Sequence, residues 1–166
     1  HPAVITGGYI LGGGFLNSRL ATRIRQKEGL SYGVGGGFSA SSWDTNASFN
    51  ASMIYNPANV AKLESAFREE IERVQKDGFT QEELEAAKSG ILKSRRMSRS
   101  SDSALASTLN NYLELGRDLR WDKNWEERLD SVTLEQLNAA MKTHLDYARL
   151  ITVKAGDFAK AASESK

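Results

Sequence analysis

Arg25 and Tyr32 are two hydrogen-bond donors that lie seven positions apart in the sequence. A guanidinium and a phenol both stabilise a carbonyl oxygen that becomes negative in the transition state of peptide cleavage. Donors of this kind assist a water molecule that a metal ion activates elsewhere in the site. Taken alone, however, the two residue types favour a commoner arrangement, in which the arginine is a surface cation and the tyrosine a half-buried packing residue.

The two histidines, His1 and His144, lie too far apart to form a zinc motif. Neither His-Glu-x-x-His nor the inverted His-x-x-Glu-His can occur with this spacing. The sequence contains no cysteine, which excludes a disulfide, a thiol nucleophile and a thiolate metal site. His144 falls near the end of a predicted helix, where the helix dipole favours a cation. We therefore expect no metal site within this chain.

Two glycine runs, at positions 12–14 and 35–37, lack the flanking residues of a phosphate-binding loop or a dinucleotide fold. Glycine also allows a backbone to approach closely, either to a neighbouring helix or to an extended peptide. Helix packing is the favoured interpretation. A basic cluster of four side chains is predicted to form a solvated helix face, without the interleaved aromatic residues typical of nucleic-acid binding. It consists of Lys93, Arg95, Arg96 and Arg99.

Arg25 and Tyr32 flank a predicted transition from helix to strand. Apolar residues recur at helical spacing after the first glycine run, which predicts a broken helix whose second part covers about 17–28 and stops at Gly29. Alternating apolar and polar residues then predict a β-hairpin with strands 34–42 and 47–55. The tyrosine is therefore expected where the chain enters extended structure.

The rest of the chain is predicted to be mainly helical. Pro57 marks the first turn of a helix that closes at Gly78, and a second capping signal, Thr80 with Glu83, begins the next helix. A helix over 104–115 ends at Gly116, and Thr133 with Gln136 begins another. The last predicted element is a β-strand over 149–155, because that run is short, β-branched and bounded by glycine.

This order predicts an α+β fold, in which an antiparallel sheet packs against several helices. One domain is expected over 1–158, with a frayed tail over 159–166, and we expect the sheet to continue in strands that precede His1. The formal net charge is +1, so no overall field attracts nucleic acid or an anionic membrane. No apolar run approaches the roughly 20 residues of a membrane helix, and no signal peptide is visible.

The segment Leu11-Gly-Gly-Gly-Phe-Leu-Asn-Ser-Arg-Leu20, followed by Arg25-x-Lys-Glu-Gly-Leu-Ser-Tyr32, resembles a known family. It is similar to the glycine-rich turn, the Ser-Arg-Leu helix and the Arg-to-Tyr segment of the insulinase/pitrilysin-type zinc metallopeptidases, which include mitochondrial processing peptidase and many bacterial zinc proteases. The predicted element order agrees over nearly the whole chain. The resemblance implies a C-terminal-type domain that lacks the zinc motif.

The resemblance also implies what this domain does. Zinc is expected in the parent protein, bound by a homologous N-terminal half in the same chain or in a partner subunit. Arg25 and Tyr32 are the residues expected to contact a peptide or unfolded polypeptide substrate in the site that both halves form. A homo-oligomer, and a periplasmic or cytoplasmic location, are both compatible with the family, whereas nucleic acid and membrane insertion are not expected. The alternative is a non-catalytic scaffold or peptide-binding subunit, because some relatives have lost the metal.

Overall fold

Six α-helices and one two-stranded sheet form the framework of residues 2–158, the part of the chain that a computed structural model describes. This architecture confirms the predicted α+β class with an antiparallel sheet. His1 and the predicted frayed tail at 159–166 lie outside the described residues. None of the described helices is long and apolar enough to cross a membrane. The helices are α1 (Pro2–Gly8), α2 (Val60–Asp77), α3 (Gln81–Arg99), α4 (Asp102–Glu114), α5 (Leu119–Asp130) and α6 (Leu134–His144), and the strands are β1 (Ser31–Ala40) and β2 (Ala47–Tyr55).

The N-terminal helical region is broken at the first glycine run, as the sequence predicts. Helix α1 continues into a π-helical segment, Tyr9–Gly13, and a short 3-10 turn follows after Gly14. The chain then forms a second π-helical segment, Ala21–Lys27. Gly29 ends it with a φ of 61°, a left-handed conformation that glycine adopts without the penalty that a Cβ brings.

The β-hairpin packs one of its faces against the helices. The pairs Val34↔Met53 and Phe38↔Phe49 lie on that inner face, and their side chains pack against the buried core. The rings of Phe38 and Phe49 lie 5.1 Å apart between centroids. Strand β1 begins three residues before the predicted boundary, at Ser31, so that Tyr32 belongs to the strand itself.

The glycines of the two runs allow the N-terminal helix to lie directly on the sheet. A Cβ atom added to Gly12 would lie 2.8 Å from the backbone nitrogen of Gly36, and one added to Gly8 would lie 2.9 Å from that of Phe38. Both distances are shorter than side chains tolerate. The structure therefore confirms the helix-packing interpretation for Gly12 and Gly36, whereas Gly35 and Gly37 face open space.

Most boundaries of the helices that follow agree with the predictions, although Pro57 begins a 3-10 turn, Pro57–Asn59, that leads into α2. Helix α2 has an apolar face whose side chains Leu63, Ile71 and Val74 are buried. The helix ends at Gly78, which has a φ of 72°. The side chains of Thr80 and Thr133 each accept a hydrogen bond from the third residue of α3 and α6, and both capping boxes are complete. The end of α2 and the starts of α3 and α6 thus confirm the predictions made from local sequence.

Helix α5 was not predicted, and it changes the environment of the basic cluster. Arg99 of α3 donates to Asp122 at 2.7 Å and to Glu126 at 2.6 Å, both on α5. Arg95 pairs with the same two carboxylates and stacks over the Trp125 ring at 4.4 Å. The prediction of a solvated face is therefore wrong for Arg95 and Arg99, because a second helix supplies acidic partners at that face.

The predicted strand at 149–155 is also wrong. Residues 146–155, which we name the C-terminal strap, form a 3-10 turn, Tyr147–Arg149, and then run without strand pairing. Side chains hold the strap to α2: the Tyr147 ring lies 6.1 Å from that of Phe67, and the Lys154 ammonium lies 2.7 Å from the Glu64 carboxylate. To form a strand, the strap would have to pair with the free edge of β2. A groove lies between the two segments, so they do not pair.

Candidate functional site

Arg25 lies within the second π-helical segment, Ala21–Lys27. The wider turn is shown by the hydrogen bond of 3.1 Å that Glu28 N–H donates to the carbonyl of Arg23, five residues earlier. Such π-helical turns are rare and occur often at functional sites.

The side chains next to Arg25 anchor this segment to the rest of the domain. Arg23 donates to Glu28 and to Glu69 of α2, each at 2.6 Å. The hydrogen bond with Glu28, and then that with Glu69, raises the pKa of Arg23, while the Arg23 hydrogen bond lowers the pKa of Glu69. Both groups therefore stay charged across the physiological range. Gln26 donates to the Leu16 carbonyl at 2.7 Å and fixes the other side of the segment.

Arg25 itself is exposed. Neither Arg25 nor Lys27 forms a hydrogen bond or an ion pair with any residue in the range 2–158. The segment is thus held by Arg23 and Gln26, while the guanidinium of Arg25 has all its donors available. A cation held on an anchored backbone but without an acidic partner suits an external acceptor such as a carbonyl or carboxylate oxygen.

Tyr32 occupies a β-bulge at the start of β1. Ser31 pairs with Tyr55 and Gly33 pairs with Ile54, so no residue of β2 lies opposite Tyr32. A bulge of this kind re-aims a side chain and is common beside active sites. Tyr32 is 72% exposed, and its hydroxyl has no hydrogen-bond partner among the described residues.

The hydroxyl of Ser31 supports the bulge from the buried side. Its oxygen lies 2.5 Å from the Ile54 carbonyl and 3.0 Å from the Gly33 carbonyl, and it accepts a hydrogen bond from Gly33 N–H at 3.2 Å. One side chain thus connects both strands at the point where the pairing is irregular. Sequence reasoning did not identify Ser31 or Arg23, because their role depends on partners more than 20 positions away.

The face of the hairpin next to Tyr32 carries few side chains. Gly35 and Gly37 have nothing within 4 Å of an added Cβ, which leaves that part of β1 open on the side away from the helices. Ile54, in contrast, is a large apolar side chain and is 56% exposed on the neighbouring strand. The surface beside the tyrosine therefore offers backbone and one exposed apolar side chain to anything that approaches it.

The structure places Arg25 and Tyr32 on the two sides of the turn at Gly29. Both are exposed, and within the described part of the chain no hydrogen bond joins them. The arrangement presents a cation and a phenol as donors without a catalytic base or nucleophile bound to either. It can bind and polarise a carbonyl group, but the attacking group must come from elsewhere.

No zinc ligand set is formed by the side chains of residues 2–158. Those residues contain no group of three or more His, Cys, Asp or Glu side chains that could hold a metal ion. His144 is exposed at the end of α6, beside Asp146 and Arg149. The side chains present do not fit a catalytic zinc ion, which needs three protein ligands.

Known proteins resemble this chain in sequence and in fold. The family described as "Peptidase M16 inactive domain" matches residues 3–91. The "Non-peptidase homolog YmxG" of Helicobacter pylori is 30% identical over 140 residues, which cover 83% of this chain and 31% of that protein. A peptidase M16 inactive domain from Pseudomonas fluorescens is similar in structure, with a TM-score of 0.74 and 28% identity over 87% of this chain and 34% of the other.

A structure from Bordetella parapertussis covers a single domain of this kind. It is described as the inactive peptidase domain of a candidate zinc protease, and it matches 89% of this chain and 78% of its own length with a TM-score of 0.71 and 19% identity. In contrast, the chain spans about a third of the length of the Helicobacter and Pseudomonas proteins. The family match covers more than half of the chain and confirms the resemblance drawn from the sequence. This protein belongs to the peptidase M16 inactive-domain family.

Proposed function

We propose that this domain is the substrate-binding, non-zinc-binding half of a zinc-dependent peptidase. Arg25 and Tyr32 contact the peptide in a site completed by a zinc-binding half, in the same chain or in a partner subunit. The substrate is a peptide or an unfolded polypeptide, whose scissile carbonyl accepts hydrogen bonds from these donors. Zinc, bound by the other half, supplies the activated water.

The observation that carries this proposal is the bulge at Tyr32. An exposed tyrosine on a regular strand is unremarkable as a surface residue, but this one lies at an irregularity that the buried Ser31 hydroxyl supports. An irregular backbone has an energetic cost. Such an irregularity persists only where the surrounding structure compensates for that cost. The free phenol hydroxyl and the free guanidinium are therefore both held on supported backbone, as pre-organised donors must be.

The surface next to the donors supports binding of an extended chain. Gly35 and Gly37 leave the outer face of β1 open, so that a peptide backbone can approach without meeting a side chain. The exposed Ile54 offers an apolar contact beside it. Recognition through backbone and shape accepts many sequences, which suits unfolded polypeptides.

The test is peptide hydrolysis by the whole protein that carries this domain. We expect Tyr32→Phe to lower kcat by roughly 10²-fold, because a donor used only in the transition state affects turnover more than binding. Arg25→Ala is expected to lower kcat/KM to a similar degree. Lys27→Ala is the matched control, since Lys27 is a second cation on the same π-helical segment without a partner in the described range, and it should leave both constants unchanged.

Two outcomes would contradict the proposal. Tyr32→Phe with wild-type kinetics would remove the role of the phenol as a donor. A loss of activity in Lys27→Ala equal to that in Arg25→Ala would show that only the net charge of the segment matters. Circular dichroism of each variant separates either result from misfolding.

A second function is favoured by one comparison, since the Helicobacter relative is named a non-peptidase homolog. In that case the domain belongs to a peptide-binding scaffold, and the same two residues capture peptide without cleavage. The parent sequence discriminates the two functions, because only the peptidase requires His-x-x-Glu-His outside this chain. If the protein is a scaffold, it does not hydrolyse peptides, and Arg25→Ala weakens its binding of a labelled unfolded peptide.

A further inference from the structure

The β-hairpin is almost free of charged side chains. Residues 29–61 contain one, that of Asp44, whereas 26% of the whole chain is charged. Burial does not account for this difference, because the outer face of the hairpin, which is turned away from the helices, is exposed. Charged residues are depleted at the centre of interfaces between polypeptides, where they would lose water without gaining a partner. An exposed but uncharged face is therefore typical of a surface that binds another polypeptide.

The outer face consists of small, neutral groups that can form hydrogen bonds. Along β2, Ser48, Asn50 and Ser52 are exposed and alternate with half-buried residues. The Asn50 amide donates to the Ser48 hydroxyl at 3.0 Å, while the Ser52 hydroxyl has no hydrogen-bond partner among residues 2–158. Opposite Ser52 and Asn50 lie Gly35 and Gly37 of β1, where the backbone is open. The face thus offers donors and acceptors without a bulky side chain between them.

A large aromatic side chain, Trp43, lies at the tip of the hairpin and is 73% exposed. The tip, residues 41–46, has a fixed backbone: the Ser41 hydroxyl accepts hydrogen bonds from the N–H groups of Trp43 and Asp44, at 3.1 and 3.2 Å. Arg117, which lies between α4 and α5, donates to the Ser42 hydroxyl at 3.4 Å and so connects the tip to the helices. The indole therefore extends from an anchored turn.

Tyr32 and Trp43 lie at opposite ends of the hairpin. In surfaces that bind polypeptides, tyrosine and tryptophan supply rigid contact area, while serine, glycine and asparagine supply adaptable hydrogen bonds. The outer face has this composition. The ten residues of β1 extend from Tyr32 towards the tip over about 30 Å. An extended peptide covers that length with about nine residues.

We propose that the outer face of the hairpin binds a substrate segment that extends from Tyr32 to Trp43. This inference rests on the function proposed for Arg25 and Tyr32, and it names the class of substrate. The segment is uncharged, extends about nine residues from the cleaved bond, and ends in an apolar or aromatic side chain that contacts Trp43. A charged side chain within the segment would lose water on a face that supplies no opposite charge.

The experiment uses the whole protein and peptides that share one cleaved bond. One series extends the peptide on the N-terminal side of that bond and a second on the C-terminal side, with serine and glycine residues that end in phenylalanine. In one series kcat/KM should rise roughly tenfold when the phenylalanine is about nine residues from the bond, mainly through a lower KM. A lysine or a glutamate in the middle of the added segment should each reverse this gain.

Variants assign the gain to the tip. Trp43→Ala should remove it and leave the shortest peptide unchanged, because only the longer peptides reach the indole, whereas Trp43→Phe should retain most of it. Leu113→Ala is the matched control, since Leu113 is also large, apolar and 80% exposed, but lies on α4. It should leave the whole series unchanged. Tyr32→Phe should lower kcat for short and long peptides alike, which tests the proposed function separately from the role of Trp43.

Three results would overturn the inference. A gain in Trp43→Ala equal to that of the wild type would show that the tip does not contact substrate. A loss caused by lysine but not by glutamate, or the reverse, would show that the sign of the charge matters and not its dehydration. A lower mass of Trp43→Ala in analytical ultracentrifugation would show that the tip joins subunits. If the protein is a scaffold, dissociation constants of the same peptides replace kcat/KM.

Discussion

The hydroxyl of Ser31 lies at the bulge from which the Tyr32 side chain extends. That hydroxyl makes the hydrogen bonds that connect the two strands at the bulge, and Ser31 is only 6% exposed. Without it, the Gly33 N–H loses one acceptor and the Ile54 carbonyl loses a donor. The pairing of β1 with β2 on either side of Tyr32 would then be supported by fewer hydrogen bonds.

We therefore predict that Ser31→Ala affects both stability and function. The free energy of unfolding should fall by about 1–2 kcal/mol, because buried backbone groups lose a hydrogen-bond partner. If Tyr32 acts as proposed, the activity or peptide affinity of the whole protein should fall as well, because the bulge that carries Tyr32 loses a support. Urea unfolding and peptide assays on the whole protein measure the two effects.

Ser39→Ala is the control for this variant. Ser39 lies on the same strand and forms an exposed hydrogen bond of 3.2 Å with Ser48 across the hairpin. Its loss should change the unfolding free energy little. If Ser31→Ala and Ser39→Ala proved equally mild, the bulge would have to be held by the backbone alone.

At the residue scale the sequence predicted the candidate donors but not their supports. Arg25 and Tyr32 were identifiable from residue type, from the glycine between them and from the family resemblance. Their supports, Ser31 and Arg23, make contacts with Ile54 and Glu69, which are distant in the sequence. Pairings of this kind carry no local pattern, so only the folded structure reveals them.

At the scale of elements, the first π-helical segment and β1 meet through glycines on both sides. A Cβ atom at Gly12 would meet the backbone of Gly36 at 2.8 Å, whereas one at Gly13 would have its nearest neighbour at 3.5 Å. Backbone atoms cannot rotate away as a side chain can. The helix or the strand would have to move to accept a methyl group at position 12.

We predict that Gly12→Ala destabilises the domain by about 1–3 kcal/mol, the usual cost of overpacking a closely packed interface. Gly13→Ala, the adjacent control, should be nearly neutral or slightly stabilising, since alanine favours a helix over glycine. Thermal unfolding of both variants checks the difference. Equal melting temperatures would mean that the helix shifts freely on the sheet, and the close approach would then not be required.

Elements with strong local signals were predictable, and elements that depend on neighbours were not. The capping boxes at Thr80 and Thr133 mark helix starts by their own side chains, and the structure has both. Helix α5 does not begin with a capping box. Its N-cap residue, Asp118, instead accepts hydrogen bonds from the backbone N–H groups of Arg120 and Trp121. The strap was mistaken for a strand because its composition is that of a strand, while pairing requires an adjacent edge.

At the scale of the whole molecule, the function that we propose needs groups beyond those that residues 2–158 supply. It has exposed donors at Arg25 and Tyr32, but residues 2–158 contain no cluster of ligands for zinc. The full sequence has two histidines and no cysteine, so the usual nitrogen and sulfur ligands are nearly absent as well. Donors without an activated water can bind a peptide carbonyl but cannot cleave the bond.

The 166-residue chain by itself is therefore predicted to neither retain zinc nor hydrolyse peptides. After incubation with zinc and dialysis, metal analysis should find far less than one zinc ion per chain, because catalytic sites need three protein ligands. His144→Ala should leave that residual amount unchanged, since among residues 2–158 no two further ligands converge on this histidine. The whole protein, treated in the same way, is the positive control for a zinc-binding half. One tightly held zinc ion in the isolated chain would contradict this division of labour, because the metal site would then lie on the same domain as the two donors.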